Sequence, residues 1–224
     1  MVIMMSNKCR RLEEIHQMII NCTKCPLYKT RRNAVPGEGS CDAKLMFVGE
    51  APGSREDELG RPFVGQAGKL LDTLLEMIGI KRSEVFITNV VKCRPPGNRD
   101  PIEEEIATCS PYLIEQIKII QPKVIVALGR HAARFLFTKA GLRWGNMKAM
   151  HGKVYDGVIE GVKVKLMATY HPAAALYSPK LRPLLERDFQ EVLKPLYDRV
   201  SREEAEGAGT HRYKTILDFL GGLG

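Results

Sequence analysis

The chain has 224 residues and a mass of 25.1 kDa, with 34 Lys and Arg against 26 Asp and Glu, a formal charge of +8 and a sequence pI of about 9.2. Hydrophobic residues make up 44% and no repeat is visible, which excludes a disordered, collagen-like or coiled-coil chain. No apolar run approaches the ~20 residues of a bilayer span, and the start, Met1 to Arg10, places its apolar residues before the basic ones, the reverse of a secretory signal. These features lead to the expectation of an intracellular protein without a membrane segment, one domain over 1–200 followed by a polar linker and a hydrophobic peptide over 201–224.

Leu12, Ile15 and Ile19 recur at helical spacing and predict a helix over 8–21. Residues 26–43 read as a Pro/Gly-rich loop. Lys44 to Glu50 is an almost unbroken apolar strand, as in a parallel sheet covered on both faces, and ends in the tight Gly49-Glu-Ala-Pro-Gly53 turn. Leu70, Leu71, Leu74, Leu75 and Ile78 form a helical stripe, and Val85 to Val91 is a second strand. Asp100-Pro-Ile-Glu103 predicts a helix start, with Asp100 as the cap. Lys123 to Gly129 is a third buried strand, followed by a helix from Arg130. Lys153 to Val158 and Val162 to Tyr170 pair as a hairpin, and a long helix covers 178–200. The alternation implies an α/β layered fold with a mainly parallel sheet. In such sheets the site lies beyond the carboxyl ends of the strands, here marked by Gly49-Glu50, Asn89, Gly129 and His171.

Two long segments carry bases and no acid: Cys22 to Pro36, and Arg130 to Lys153. They predict a phosphate-facing surface. The cysteines are Cys9, Cys22, Cys25, Cys41, Cys93 and Cys109, which in an intracellular chain are not expected to form a disulfide framework. Cys22-Thr-Lys-Cys25 can point two thiolates at one metal centre. Cys93 and Cys109 can complete four ligands if the fold brings them together, leaving Cys9 and Cys41 over. Zinc and an iron–sulfur cluster are both compatible with this spacing.

Gly60-Arg-Pro-Phe-Val-Gly65 begins like a phosphate-binding loop, but Gln66 and Ala67 stand where Lys and Ser or Thr are required. No dinucleotide fingerprint, nucleophile elbow or zinc-deaminase signature occurs. What remains is a joint set of four motifs. These are Gly49-Glu-Ala-Pro-Gly-Ser-Arg-Glu-Asp57, Gly60 to Gly65, Thr88-Asn-Val-Val-Lys-Cys-Arg-Pro-Pro-Gly-Asn-Arg99 and His171-Pro-Ala-Ala-Ala-Leu176. With the four cysteines, and over about residues 8–200, the chain closely resembles the family 4 uracil-DNA glycosylases, iron–sulfur members of the uracil glycosylase superfamily.

The resemblance implies a three-layer α/β/α sandwich and a [4Fe–4S] cluster on Cys22, Cys25, Cys93 and Cys109. It also implies hydrolysis of the N-glycosidic bond of uracil flipped out of single- or double-stranded DNA, by a monomer that leaves an abasic site. Such an enzyme must take the base out of the stack. Phe63 can supply a stacking face, and the amide of Asn89 can pair with uracil N3–H and O4. By resemblance His171 bonds uracil O2, the backbone of Glu50, Ala51 and Pro52 lines the base, and Glu50 and Glu56 are the carboxylates that can stabilise the sugar cation and orient water. Ala175, Leu176 and Tyr177 fall in a DNA-intercalation loop. Glu50 distinguishes the chain from family 5 enzymes, which carry an apolar residue there. Two other readings are a non-catalytic iron–sulfur DNA-binding module and a nucleotide-binding α/β enzyme with a zinc staple. In the tail, Tyr213, Ile216, Phe219 and Leu220 resemble a sliding-clamp (PCNA) binding peptide; the plainer reading is a short helix packed on the body.

Overall fold

The computed structural model describes residues 6–210. The chain begins with α1 (Asn7–Ile20), capped by the Ser6 hydroxyl on the amide of Cys9. Then come the two-residue strand β1 (Glu38–Gly39), β2 (Leu45–Gly49), α2 (Ser54–Leu59), α3 (Gln66–Met77) and β3 (Phe86–Asn89). The long α4 (Glu103–Ile120) leads to β4 (Val124–Leu128), α5 (Arg130–Lys139) and the short α6 (Met147–Met150). The hairpin β5 (Val154–Ile159) and β6 (Val162–Thr169) precedes α7 (Pro172–Tyr177), α8 (Arg182–Arg187), a π turn at Asp188–Leu193 and α9 (Lys194–Thr210).

The sheet has six strands in the order β1-β3-β2-β4-β6-β5. The four inner strands run parallel and the two edges antiparallel. The inner strands alternate strictly between two cores. Met46, Val48, Ile125, Ala127, Leu166 and Ala168 face α1, α4 and α5, whereas Leu45, Phe47, Val124, Val126, Leu128 and Met167 face α3, α7, the π turn and α9. Both faces of each inner strand are therefore apolar, the burial that a parallel sheet requires. The three-layer α/β/α sandwich follows.

Several expectations are corrected. The helix after Asp100 starts at Glu103: Glu105 reaches back to the amide of Ile102 at 3.0 Å while pairing with Arg99 at 2.7 Å, so Asp100 is not its cap. Residues 201–210, expected as linker, continue α9, because Glu, Ala and Arg sustain a helix in polar surroundings. The single helix expected over 178–200 is divided into α8, the π turn and the start of α9. Cys9 and Cys41, expected as spare thiols, are joined in a disulfide with Cα atoms 5.1 Å apart, since α1 lies against the turn that precedes β2; Lys8 also meets Asp42 there at 3.3 Å. The candidate clamp peptide, Tyr213 to Leu220, lies outside the described residues. Among the described residues no helix is long and apolar enough to cross a membrane.

Phe47 and Phe189 stack with ring centroids 5.8 Å apart, both fully buried, and join the π turn to the middle of β2. Phe189→Ala should cost about 3–5 kcal/mol of unfolding free energy in chemical denaturation.

Candidate active site

After β2 the chain crosses to β3 on one side, then returns past β2 to β4 on the other. The carboxyl end of β2 is thus the point where the strand order reverses, and the crevice of a doubly wound sheet opens there. A cleft of about 620 Å³ lies at this end, lined among others by Glu50, Asp100, His131, His171 and Tyr177. The ends of β2, β3, β4 and β6 therefore bring Glu50, Asn89, Gly129 and His171 to one level, as the sequence implies.

Gly49 can only be glycine: a Cβ there would collide with Asn89 Oδ1 and lie 2.8 Å from Phe63 Cζ. This contact packs the amide of Asn89 and the ring of Phe63 against bare backbone. The next residues are tied to the continuation of β3 by Val90 N–H on Gly49 O and Val91 N–H on Glu50 O, both at 2.9 Å. Asn89 is buried, and its side-chain oxygen accepts no hydrogen bond. A buried orphan acceptor is rare and marks a place where a ligand donor belongs.

Phe63 adopts a left-handed backbone with φ of 49°, which costs about 1–3 kcal/mol for a bulky residue and must be held. The holder is Glu56, whose Oε1 accepts from the amides of Val64 at 2.9 Å and Gly65 at 2.8 Å. The ring of Phe63 is stacked against that of His171, with centroids 5.5 Å apart.

His171 follows β6 and caps α7, with its Nδ1 accepting from the amide of Ala173 at 3.1 Å. That bond places the proton of the neutral ring on Nε2. Burial lowers the pKa of His171 to about 4, outweighing the opposing charge of Glu56. The imidazole is a neutral Nε2–H donor throughout the physiological range. Desolvation does the same to His16, also held down to about 4. Both histidines bind fewer protons folded than unfolded, so stability falls as pH drops from 6.5 towards 4.

Glu50, unlike Glu56, keeps a buried oxygen uncommitted. Its Oε1 is buried without a partner, and its pKa rises to about 7, chiefly through burial and then through the charge of Asp100, with Arg130 opposing. Asp100, expected only as a helix cap, and His131, which the sequence pattern does not mark, stand 3.1 Å apart beside Glu50. His131 lies two residues beyond the strand end at Gly129, the one signal that could have found it. Ala51 is partly buried and Pro52 buried in the same turn.

In α7, Leu176 is 44% exposed and Tyr177 91% exposed, beside the cleft. Ala175, in the same segment, is buried in the core beneath α7. Behind the strand end, Asp188 accepts from Thr169 at 2.7 Å and meets His151 Nδ1 at 2.9 Å, fixing the last residue of β6 two positions before His171.

The four expected cysteines line one pocket with Ile19, Arg31, Lys92 and Tyr112. Cys22 is half-buried and Cys25, Cys93 and Cys109 are buried, all as free thiols. Arg31 donates to Cys93 Sγ at 3.0 Å and the amide of Lys92 to Cys109 Sγ at 3.2 Å. Burial pushes the Cys109 thiol up to about 12 and also raises Cys25 and Cys93. Sulfurs ringed by donors yet too desolvated to ionise alone fit a group that supplies positive charge. Among the described residues, Cys9, Cys41 and Asp42, and Glu50, Asp100 and His131, are trios whose donor atoms lie within 4.8 Å of one another. Arg31 also donates to Ile20 O, and Lys24, itself exposed, sits over the Tyr112 ring at 5.3 Å, so the first acid-free segment borders this cradle.

The sequence model of the uracil DNA glycosylase superfamily matches residues 36–196. The chain belongs to this superfamily. Within it, the chain is 51% identical over 212 residues to the type-4 uracil-DNA glycosylase of Sulfurisphaera tokodaii, covering 94% of this chain and 91% of the relative. It is 52% identical over 186 residues to that of Saccharolobus solfataricus, with 83% and 86% covered. It is 54% identical over 177 residues to that of Pyrobaculum aerophilum, with 79% and 90% covered.

A carboxyl whose pKa is raised on folding stabilises the fold below its unfolded value and loses that contribution as pH rises through the folded one. Glu50→Gln should therefore be more stable than the parent above about pH 7, with the difference shrinking towards 4.5, in denaturation curves at several pH values.

Proposed function

We propose that the chain is a monofunctional uracil-DNA glycosylase that hydrolyses the N-glycosidic bond of flipped-out uracil in single- or double-stranded DNA, inside the cell and as the opening step of base excision repair. The observation that carries the reading is a pair of polar groups at the carboxyl ends of β3 and β6, on either side of the central strands β2 and β4. One is the orphan carbonyl of Asn89 and the other the neutral imidazole of His171 with its Nδ1 already occupied.

Asn89 Oδ1 accepts from uracil N3–H and its amide donates to O4. Cytosine presents the reverse pattern and would leave buried groups unpaired. Phe63 offers its ring face to the base, and the backbone of Glu50, Ala51 and Pro52 borders it. As the bond from N1 to C1′ breaks, its electron pair passes to the base. His171 Nε2–H donates to O2, where that charge accumulates. A neutral donor already in place needs no reorganisation.

Water adds to C1′ and gives up a proton as uracil leaves. Glu50 is the carboxylate for this step: it has an uncommitted oxygen, and its pKa near 7 suits proton transfer at neutral pH. Glu56 is a positioning residue, because its Oε1 is occupied by two amides of the Phe63 loop. Leu176 and Tyr177 fill the space that the base vacates in the duplex, and their exposure supports this role.

The four cysteines would hold a [4Fe–4S] cluster, which braces the DNA-binding face and supplies no step of the hydrolysis. The four thiols that line one pocket, with the family resemblance, support this reading. The domain acts as a monomer over 1–200, and Tyr213, Ile216, Phe219 and Leu220 form a peptide for a sliding clamp. Truncation after Thr210 should abolish clamp binding and leave uracil excision unchanged; clamp binding that survives truncation removes this assignment.

An oligonucleotide with one uracil, treated with protein and then with alkali, tests the activity against a thymine control. Cleavage should occur at uracil alone and fall at least about 10²-fold in Asn89→Ala. The rate should rise with pH to a plateau above about 7, and the rising limb should vanish in Glu50→Gln but persist in Glu56→Gln.

A further inference from the structure

Lys92 places a basic side chain in the middle of the protein. Its side chain is 1% exposed, a burial that lysine almost never tolerates without partners. An ammonium has three hydrogens, and Lys92 Nζ has three acceptors: Thr88 Oγ1 at 2.6 Å, Gln116 Oε1 at 2.7 Å and the main-chain oxygen of Asn89 at 2.8 Å. Those partners are themselves anchored. Gln116 Nε2 donates to Pro36 O at 2.7 Å, and the Thr88 hydroxyl donates to the same oxygen at 3.0 Å.

The main chain of Lys92 is held separately. Its amide donates to Cys109 Sγ at 3.2 Å, and its carbonyl accepts from Val35 N–H at 2.8 Å. The residue therefore has its backbone in the cysteine cradle, while its side chain turns back under β3 to hold the carbonyl of Asn89. If the interior needed only volume here, an apolar side chain would avoid the desolvation cost. The ammonium instead fastens the last residue of the strand, where the ladder with β2 ends.

We propose that Lys92 is a positioning residue for base recognition: it ties the strand end that presents the Asn89 amide to the four-cysteine cradle, so that the amide meets uracil at a fixed place. The inference rests on the assignment of Asn89 as the base-reading side chain. It gives the cradle a bearing on specificity with no electron transfer, through two links of one residue.

Lys92→Met keeps an unbranched side chain, one atom shorter, and removes the three donors. The full chain is purified with its cluster, and four quantities are read: visible absorbance near 400 nm per protein, binding to uracil-free duplex, inhibition by free uracil, and single-turnover excision. Absorbance and duplex binding should match the parent. The inhibition constant for uracil should rise about 10-fold and excision should slow by up to about 10²-fold, the scale of a displaced reactive group. In the Asn89→Ala background, Lys92→Met should slow excision no further. Should Lys92→Met fail to fold, Gln116→Met, which removes one acceptor, should shift both constants in the same direction by a smaller factor. Parental inhibition and excision in a folded variant overturn the inference. So does a loss of excision that follows lost absorbance in proportion, or an additive double variant. A parental rate in Asn89→Ala removes the underlying assignment, and that outcome is distinct because it does not involve Lys92.

Discussion

Each inner strand buries both faces, so it can offer chemistry only at its ends. That constraint organises the protein. The apolar residues inside β2, β3, β4 and β6 are committed to the two cores, and the polar residues that face the crevice come where the ladder stops. The reversal of strand order beside β2 then opens a crevice at one of the two ends. Gly49 deepens it by offering no side chain, which lets an amide from β3 and a ring from the following loop converge on the same stretch of backbone.

The polar groups at this level differ in what they already have. Glu56 is saturated on one oxygen by two amides and serves to hold a strained phenylalanine. Glu50 and Asn89 each keep a buried oxygen without a partner. His171 has one nitrogen engaged and the other free to donate. Residue identity alone does not separate these cases; the inventory of occupied and vacant lone pairs does. A site with vacant acceptors pays in stability for its readiness to bind, as preorganised sites commonly do.

The parallel strands and their ends were legible because near-continuous apolar runs have few other uses, and the motifs that carry the family resemblance sit on those ends. The four-cysteine set was legible for the same reason. Other features depend on contacts that spacing cannot express. The pairing of Arg99 with Glu105 moved the start of α4 past Asp100. A run of Glu, Ala and Arg after Val200 proved helical where polarity suggested a linker. Ala175 shares a segment with Leu176 and Tyr177 but faces the opposite way on a six-residue helix. The difference between Glu50 and Glu56, the burial of Lys92 against Gln116 and the bond of Asp188 to the end of β6 all arise from three-dimensional contacts that residue type and spacing do not express.

The disulfide from Cys9 to Cys41 encloses a stretch of chain that includes Cys22 and Cys25. Half of the thiol cradle therefore sits within a covalent ring anchored beside β2, while Cys93 and Cys109 belong to the body of the fold. The N-terminal arm therefore stays tied to the body of the fold even when nothing bridges the two halves of the cradle. The two halves remain at high effective concentration with respect to each other, and refilling the cradle becomes a local event that needs neither unfolding nor a search by the chain.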